Sequence, residues 1–193
     1  MIIGITGGTG SGKTTLLRLM EQNGVLVLDC DAIYHELLTT DKSLLNDIET
    51  RFPGTVENGK VLRKKLGSIV FSDESALLEL NRITHSAIRA EVLRRLADNS
   101  AHAAIDAVAL FESGMYKLCD ITIAVTAPTD VRIQRLMERD CISAEYAKKR
   151  IDAQPTADWF RQNCDYTLEN NSCEADFNAI CLAFLRKLGI MKV

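Results

Sequence analysis

Short apolar runs alternate along this chain with longer stretches of helical spacing. Met1 to Thr6 is apolar and predicts a strand. A glycine-rich loop follows from Gly7 to Gly12. Lys13 to Gln22 then has helical spacing, with Leu16, Leu17 and Met20 on its inner face. Asn23-Gly24 is a helix stop. Val25 to Leu28 is an unbroken apolar run, the mark of a strand covered on both faces, and it ends at Asp29-Cys30-Asp31. From Ala32 to about Asn99 the spacing is mostly helical, with breaks near Thr39-Thr40 and Pro53-Gly54. Ala103 to Phe111 and Ile121 to Ala127 predict two further buried strands. Asp130 to Arg139 predicts a charged helix. Ser143 is placed to cap the next one, which runs to about Ala153; Glu145 stands one position early for a full capping box. Tyr166 to Leu168 predicts a short last strand. Asp176 to Leu188 predicts a closing amphipathic helix with Phe177, Ile180, Cys181, Phe184 and Leu188 on one face.

Apolar strands alternating with helices predict an α/β fold, a parallel sheet with helices on both faces in three layers. The helical stretch over 32–99 is longer than a crossover needs and reads as an insertion. Composition agrees: 193 residues suit one domain with lobes, and 47% hydrophobic with 25% charged residues suit a packed core. A net charge of −3 argues against a general nucleic-acid binder. No apolar run reaches the roughly 18 residues of a membrane span. The first residues lack a basic export segment, so the expected compartment is the cytoplasm. Nothing suggests an obligate protein partner. The six cysteines form no C-x-x-C pair and no zinc-like spacing with the three histidines, so they read as reduced thiols, mostly packing.

Gly7-Gly8-Thr9-Gly10-Ser11-Gly12-Lys13-Thr14 fits G-x-x-x-x-G-K-[ST] in full. The glycines permit backbone torsions that turn successive N–H groups onto a phosphate chain. The helix opening at Lys13 adds the positive end of its dipole. Lys13 can reach the β- and γ-phosphates, the Thr14 hydroxyl can ligate Mg²⁺, and Thr15 can bond the α-phosphate. The motif follows a predicted strand and opens a predicted helix, as its mechanism requires, so a nucleoside triphosphate site is the firmest functional reading.

Asp29 and Asp31 stand where the second predicted strand stops. In open parallel sheets chemistry gathers at the carboxyl ends of strands. Positions i and i+2 of an extended segment share a side, so both carboxylates are expected to face a cleft. One would take a hydroxyl proton while the other fixes Mg²⁺ or its waters. The plainer role for Asp31 is a helix N-cap. No N-K-x-D guanine selector is present, which favours a small-molecule kinase over a GTPase switch. A kinase for a nucleoside, a nucleoside monophosphate or a small hydroxylated metabolite fits the same residues; against the rival of another class, a nucleotide-dependent binding module, stands Asp29-Cys30-Asp31, since a switch needs no base beside an acceptor pocket.

Taken in order, these and later motifs make the chain similar to the dephospho-CoA kinase family over nearly its whole length. The resemblance is carried by Gly4 to Thr14, by Asp29-Cys30-Asp31-Ala32-Ile33, and by Asn58-Gly59, Arg63, Leu66 and Ile69-Val70-Phe71. It continues through Leu80, Ile83 and His85, Leu110-Phe111-Glu112-Ser113-Gly114, Arg135 to Arg139-Asp140, Arg150-Ile151 with Gln154, and Asp165-Tyr166 with Asn170. The chain departs from the family pattern at Leu62, Ser86, Val108 and Asn163-Cys164.

The resemblance implies a P-loop kinase fold with a core over about 1–31, 100–138 and 162–193. It also implies an acceptor-binding helical lobe over about 32–99 and a lid over about 139–161. The implied reaction moves the γ-phosphoryl of ATP to the ribose 3′-hydroxyl of dephospho-CoA with Mg²⁺. Asp31 would be the base, with Lys13 and Arg139 acting on the transferring group. Gly8, Gly10, Ser11, Gly12, Lys13, Thr14, Thr15 and Arg150 would hold ATP. Asp29, Asp31, His85 and Glu112 would meet the acceptor, with His85 equally readable as helix packing and Glu112 as a holder of metal-bound water. Lys148 and Lys149 read as a solvated helix face, and Trp159 as a packing residue.

Overall fold

The computed structural model describes residues 1–98 and 102–191. The expected junction of insertion and core, residues 99 to 101, and the last two residues lie outside them. In chain order the elements are β1 (Ile2–Thr6), α1 (Lys13–Gln22), β2 (Leu26–Asp29), α2 (Cys30–Thr40), α3 (Lys42–Arg51), β3 (Val56–Glu57), β4 (Lys60–Val61), α4 (Arg63–Val70) and α5 (Glu74–Ala97). There follow β5 (Ala103–Asp106), a 3₁₀ turn (Met115–Leu118), β6 (Ile121–Thr126), α6 (Thr129–Asp140), α7 (Ala144–Asp152), α8 (Ala157–Asn163), β7 (Tyr166–Glu169) and α9 (Glu174–Lys187). They form two compact units, Met1–Leu28 with Asn99–Val193, and Asp29–Asp98.

The first unit holds a five-stranded sheet in the order β2-β5-β1-β6-β7. β1 pairs parallel with β5 and with β6, and β6 pairs parallel with β7. Ile3, Ile5, Ala104, Ile123 and Val125 of the sheet pack with Leu16 and Met20 of α1 and Phe177, Cys181 and Leu185 of α9. Each large apolar side chain so buried contributes about 1.5–3 kcal/mol. A mostly parallel sheet with flanking helices is the fold the apolar pattern predicts.

In the second unit α5 packs against α2, α3 and α4. Three of its four helices, α2, α3 and α5, start on aspartates, whereas α4 follows Leu62 with no side-chain cap. Asp29 accepts from the backbone of Asp31 and Ala32, Asp41 from Ser43 and Leu44, and Asp73 from Ser75 and Ala76. Each such cap is typically worth about 1 kcal/mol.

Three local expectations are corrected, and a fourth, the mostly helical 32–99 stretch, holds with one hairpin added. The strand predicted to reach Phe111 stops at Asp106. Its last ladder bond runs from Ala107 N–H to the Ile5 carbonyl, beside the point where β1 ends. The apolar run continues because Leu110, in the following turns, is wholly buried; Glu112 therefore lies in a turn and ends no strand. The 32–99 stretch contains the β3–β4 hairpin, closed by Asn58 and Gly59 at positive φ, the residues that such a two-residue turn demands. Asp31 lies in the first turn of α2 while Asp29 caps it, so the two carboxylates do not share an extended segment and Asp31 is not the cap. On α9, Leu185 takes the inner position and Ile180 is 42% exposed; helical geometry puts Ile180 about a quarter turn from the Phe177–Cys181–Leu185 line.

Candidate active site

The loop from β1 to α1 curves over backbone that only glycine adopts readily. Gly12 has φ 96° and caps α1 without a side chain, so the first-turn N–H groups are left for another acceptor. A β-carbon on Gly12 would run into the Asn170 amide, and one on Gly8 into the Arg132 guanidinium. The Lys13 ammonium donates to the Gly7 carbonyl at 3.0 Å. Thr14 is exposed and Thr15 half-buried in the first turn of α1.

Four side chains hold this loop: Arg132 and Arg135 of α6, Gln154 just beyond α7 and Asn170 just beyond β7. Arg132 of α6, 8% exposed, donates through Nε to the Thr9 carbonyl at 2.8 Å and through Nη2 to Gln154 Oε1 at 3.0 Å. The same Gln154 oxygen accepts from the Thr9 N–H at 2.8 Å. Arg135 donates to the carbonyls of Gly10 at 3.3 Å and Ser11 at 3.4 Å, and to Asn170 Oδ1 at 3.1 Å. Asn170 Nδ2 donates to the Ser11 carbonyl at 2.9 Å, and its own N–H donates to the carbonyl of Thr126, the last residue of β6. The loop carbonyls are thus turned outward onto arginine and asparagine, which leaves amides for a ligand. Burial draws the Arg132 pKa down, yet a guanidinium keeps its charge in proteins. The Ser11 hydroxyl is buried without a hydrogen-bond partner among the described residues. An orphaned hydroxyl in an amide-lined loop fits a phosphate oxygen.

Arg139 and Arg150, expected on phosphate, both bind Asp140 in this structure. Arg139 reaches it at 2.7 and 3.0 Å, and Arg150 at 2.6 Å. These two guanidinium groups, Arg139 first, hold the Asp140 carboxyl at about 2. Lys148 pairs with Asp152 and Lys149 with Glu145 on the exposed side of α7. Trp159 meets Phe111 edge-on at 5.1 Å and Phe160 at 5.4 Å, a packing role. Arg132 was absent from the sequence-derived candidates. Its available signal was spacing, because Arg132, Arg135 and Arg139 recur at i, i+3 and i+7 on one helix face.

The helical unit carries its own candidates. The Asp29 carboxylate accepts from the N–H of Asp31 at 2.9 Å and of Ala32 at 3.0 Å. Asp31 is exposed on the first turn of α2, and Tyr34 and His35 follow on the same face at i+3 and i+4. Arg63 Nη2 lies 3.3 Å from His35 Nδ1. Burial raises the Tyr34 pKa, opposed by the charge of Arg63. His85 is half-buried on α5. Glu112 is exposed in its turn.

A family model described as dephospho-CoA kinase matches residues 1–176. The chain belongs to the dephospho-CoA kinase family. This family catalyses the final, ATP-dependent step of coenzyme A biosynthesis. A dephospho-CoA kinase of Latilactobacillus sakei is 32% identical over 173 residues, 87% of this chain and 86% of that one. One of Bacillus thuringiensis is 32% identical over 197 residues, 99% of this chain and 98% of its own. The solved dephospho-CoA kinase of Campylobacter jejuni superposes with a TM-score of 0.70 at 28% identity, covering 98% of each chain. Shikimate kinase of Acinetobacter baumannii, 19% identical with a TM-score of 0.54 over 97% of this chain and 92% of its own, shares the fold. Among the described residues no helix is long and apolar enough to cross a membrane.

Proposed function

We propose that this chain transfers the γ-phosphoryl of ATP to the ribose 3′-hydroxyl of dephospho-CoA in the cytoplasm, giving CoA and ADP. The observation that carries the reading is the phosphate loop. Its carbonyls are engaged from outside by Arg132, Arg135 and Asn170, and its buried Ser11 hydroxyl has no partner among the described residues.

In this reading the amides of Gly10 and of Gly12 to Thr14 hold the β- and γ-phosphates, and Thr15 meets the α-phosphate. Lys13 leaves the Gly7 carbonyl and places its charge on the oxygens of the transferring group. The exposed Thr14 hydroxyl is the residue that would hold Mg²⁺, which would supply positive charge against the charge developing on the phosphates. Asp31 accepts the proton of the attacking 3′-hydroxyl. Asp29 holds the first turn of α2, and so the position of Asp31, and lies near the acceptor. The segment over 139–161 acts as a lid, in which Arg139 and Arg150 exchange Asp140 for phosphate and exclude water. His85 and Glu112 complete the acceptor side.

The test is an acceptor panel with ATP and Mg²⁺, read by product mass. Dephospho-CoA is expected to gain one phosphoryl group, while adenosine and nucleoside monophosphates gain none. Phosphorylation of a monophosphate with none on dephospho-CoA would overturn the choice of acceptor and leave a P-loop kinase. Tight ATP binding with no transfer to any acceptor would replace the enzyme by a nucleotide-dependent binding module.

A further inference from the structure

Arg132 carries a buried charge that no step above uses. It is 8% exposed, and arginine is almost never buried so far without an acid beside it. Among the described residues no carboxylate pairs with it. Its bonds run to the Thr9 carbonyl and to Gln154 Oε1, both neutral. Burial lowers its pKa, yet a guanidinium keeps its proton. Other arginines of the same unit are built differently: Arg18 meets Glu174, Arg139 and Arg150 share Asp140, and Arg161 reaches Asp158 and Glu169. Arg135, one turn along α6 from Arg132, also bonds only neutral oxygens among the described residues, those of Gly10, Ser11 and Asn170. Two guanidinium charges thus stand against one loop.

We propose that the counter-ion of Arg132 is the polyphosphate of the bound nucleotide, so that this residue sets donor affinity by its charge as well as by bracing the loop. The inference rests on the donor half of the function proposed above. A cation taken out of water without a partner is costly, and a nearby anion offsets that cost. The guanidinium lies directly against the loop that the reading gives to phosphate. A β-carbon on Gly8 would run into it, and one on Gly10 would stand 3.0 Å from the Arg132 carbonyl oxygen. Its Nε and Nη2 are committed to Thr9 and Gln154, so it acts across the loop backbone and not by gripping phosphate itself. In that buried setting its charge is screened less than a surface charge would be. The total phosphate charge is the same before and during transfer. The effect therefore falls on binding and hardly on the chemical step.

The experiment compares wild type with Arg132→Gln and Arg132→Lys. Glutamine keeps an N–H donor without the charge, and lysine keeps the charge with fewer donors. Calorimetry measures the binding of ATP, ADP and inorganic tripolyphosphate, and steady-state assays give kcat and KM for ATP. Arg132→Gln should weaken ATP about tenfold and ADP less, with KM for ATP rising in step and kcat falling less than about threefold. Arg132→Lys should bind each ligand within about threefold of wild type, because the charge is kept. Tripolyphosphate should follow ATP, since the base takes no part. With no anion added, Arg132→Gln should melt no lower than wild type, because a buried charge without an acid has been removed. Tripolyphosphate should then raise the wild-type melting temperature by more than that of Arg132→Gln. ATP binding in Arg132→Gln as tight as in wild type would overturn the proposal. Equal weakening in both variants would overturn it too, leaving Arg132 as a hydrogen-bonding brace. A wild-type protein that binds ATP but makes no CoA would remove the transfer function and leave the counter-ion standing. One that binds neither ATP nor tripolyphosphate would remove the phosphate site on which the inference rests.

Discussion

Around the phosphate loop, polar side chains do the holding. Arg132, Arg135, Gln154 and Asn170 bond loop carbonyls or the Thr9 amide at 2.8 to 3.4 Å. Around the start of the helical unit, α2 is held by the Asp29 cap and by buried Ile33, Leu37 and Leu38. The two regions handle different parts of one proposed reaction, and their construction suits the parts. Gripping a polyphosphate requires amides aimed with small tolerance, so the carbonyls between them must be tied back. Seating a helix such as α2 requires shape and apolar area, which many combinations of side chains supply. Substitutions should therefore act sharply on the loop and more gently on the helical unit.

The largest effect expected is that of Lys13→Ala. Removing the charge from the transferring group should lower kcat by about 10³-fold or more, with the melting temperature within a degree or two of wild type. An active Lys13→Ala protein would break the assignment of the loop.

Arg132→Ala comes next. It strips the Thr9 carbonyl and Gln154 of a buried charged donor, a loss of about 1–3 kcal/mol. Urea unfolding should shift accordingly and KM for ATP should rise, while KM for dephospho-CoA stays put. Equal rises in both would blur the contrast between the regions.

Asp29→Ala should cost about 1 kcal/mol through the lost cap. Asp29→Ser should recover most of it, since serine caps nearly as well. A loss of several kcal/mol would mean that Asp29 does more than start a helix.

The smallest effect is in acid. Asp140 in the first unit and Glu91 in the second are both held at about 2 by neighbouring guanidinium groups, Arg139 with Arg150 and Arg94 with Arg95. Their folded values lie below the ordinary 3.8 and 4.5. The stability they lend is therefore present above about pH 4.5 and is lost as pH falls toward about 2. Stability between pH 5 and 8 should be insensitive to both. Carboxyl titration by NMR checks this; an ordinary midpoint for either would mean that its pairing does not persist in solution.

These contrasts also explain what the sequence disclosed. Gly7 to Thr14 is legible because each position answers to a backbone torsion or a phosphate contact, so few residue types serve. The apolar alternation reveals the sheet because a parallel strand buried on both faces has little freedom. The end of β5 was hidden, since Leu110 is buried from a turn and burial alone leaves the same mark as a strand. Which aspartate caps α2, Asp29 and not Asp31, was hidden because a cap and the first helical turn are both rich in aspartate, and spacing does not separate them. Arg132 escaped notice because a charged residue on a charged helix looks like any solvated position until its burial is known. Arg139 and Arg150 stood out by motif, yet their carboxylate partner, Asp140, lies between them in sequence and is apparent only from the geometry of the α6–α7 junction.

The central claim is a division of labour in which the loop holds the donor and Asp31 primes the acceptor. It is tested most directly by single-turnover phosphoryl transfer to dephospho-CoA in Asp31→Asn, with ATP occupancy of the loop monitored in the same sample. The account predicts ATP bound as in wild type, an intact fold, and transfer slowed by about 10²–10⁴-fold. Transfer at the wild-type rate would contradict it.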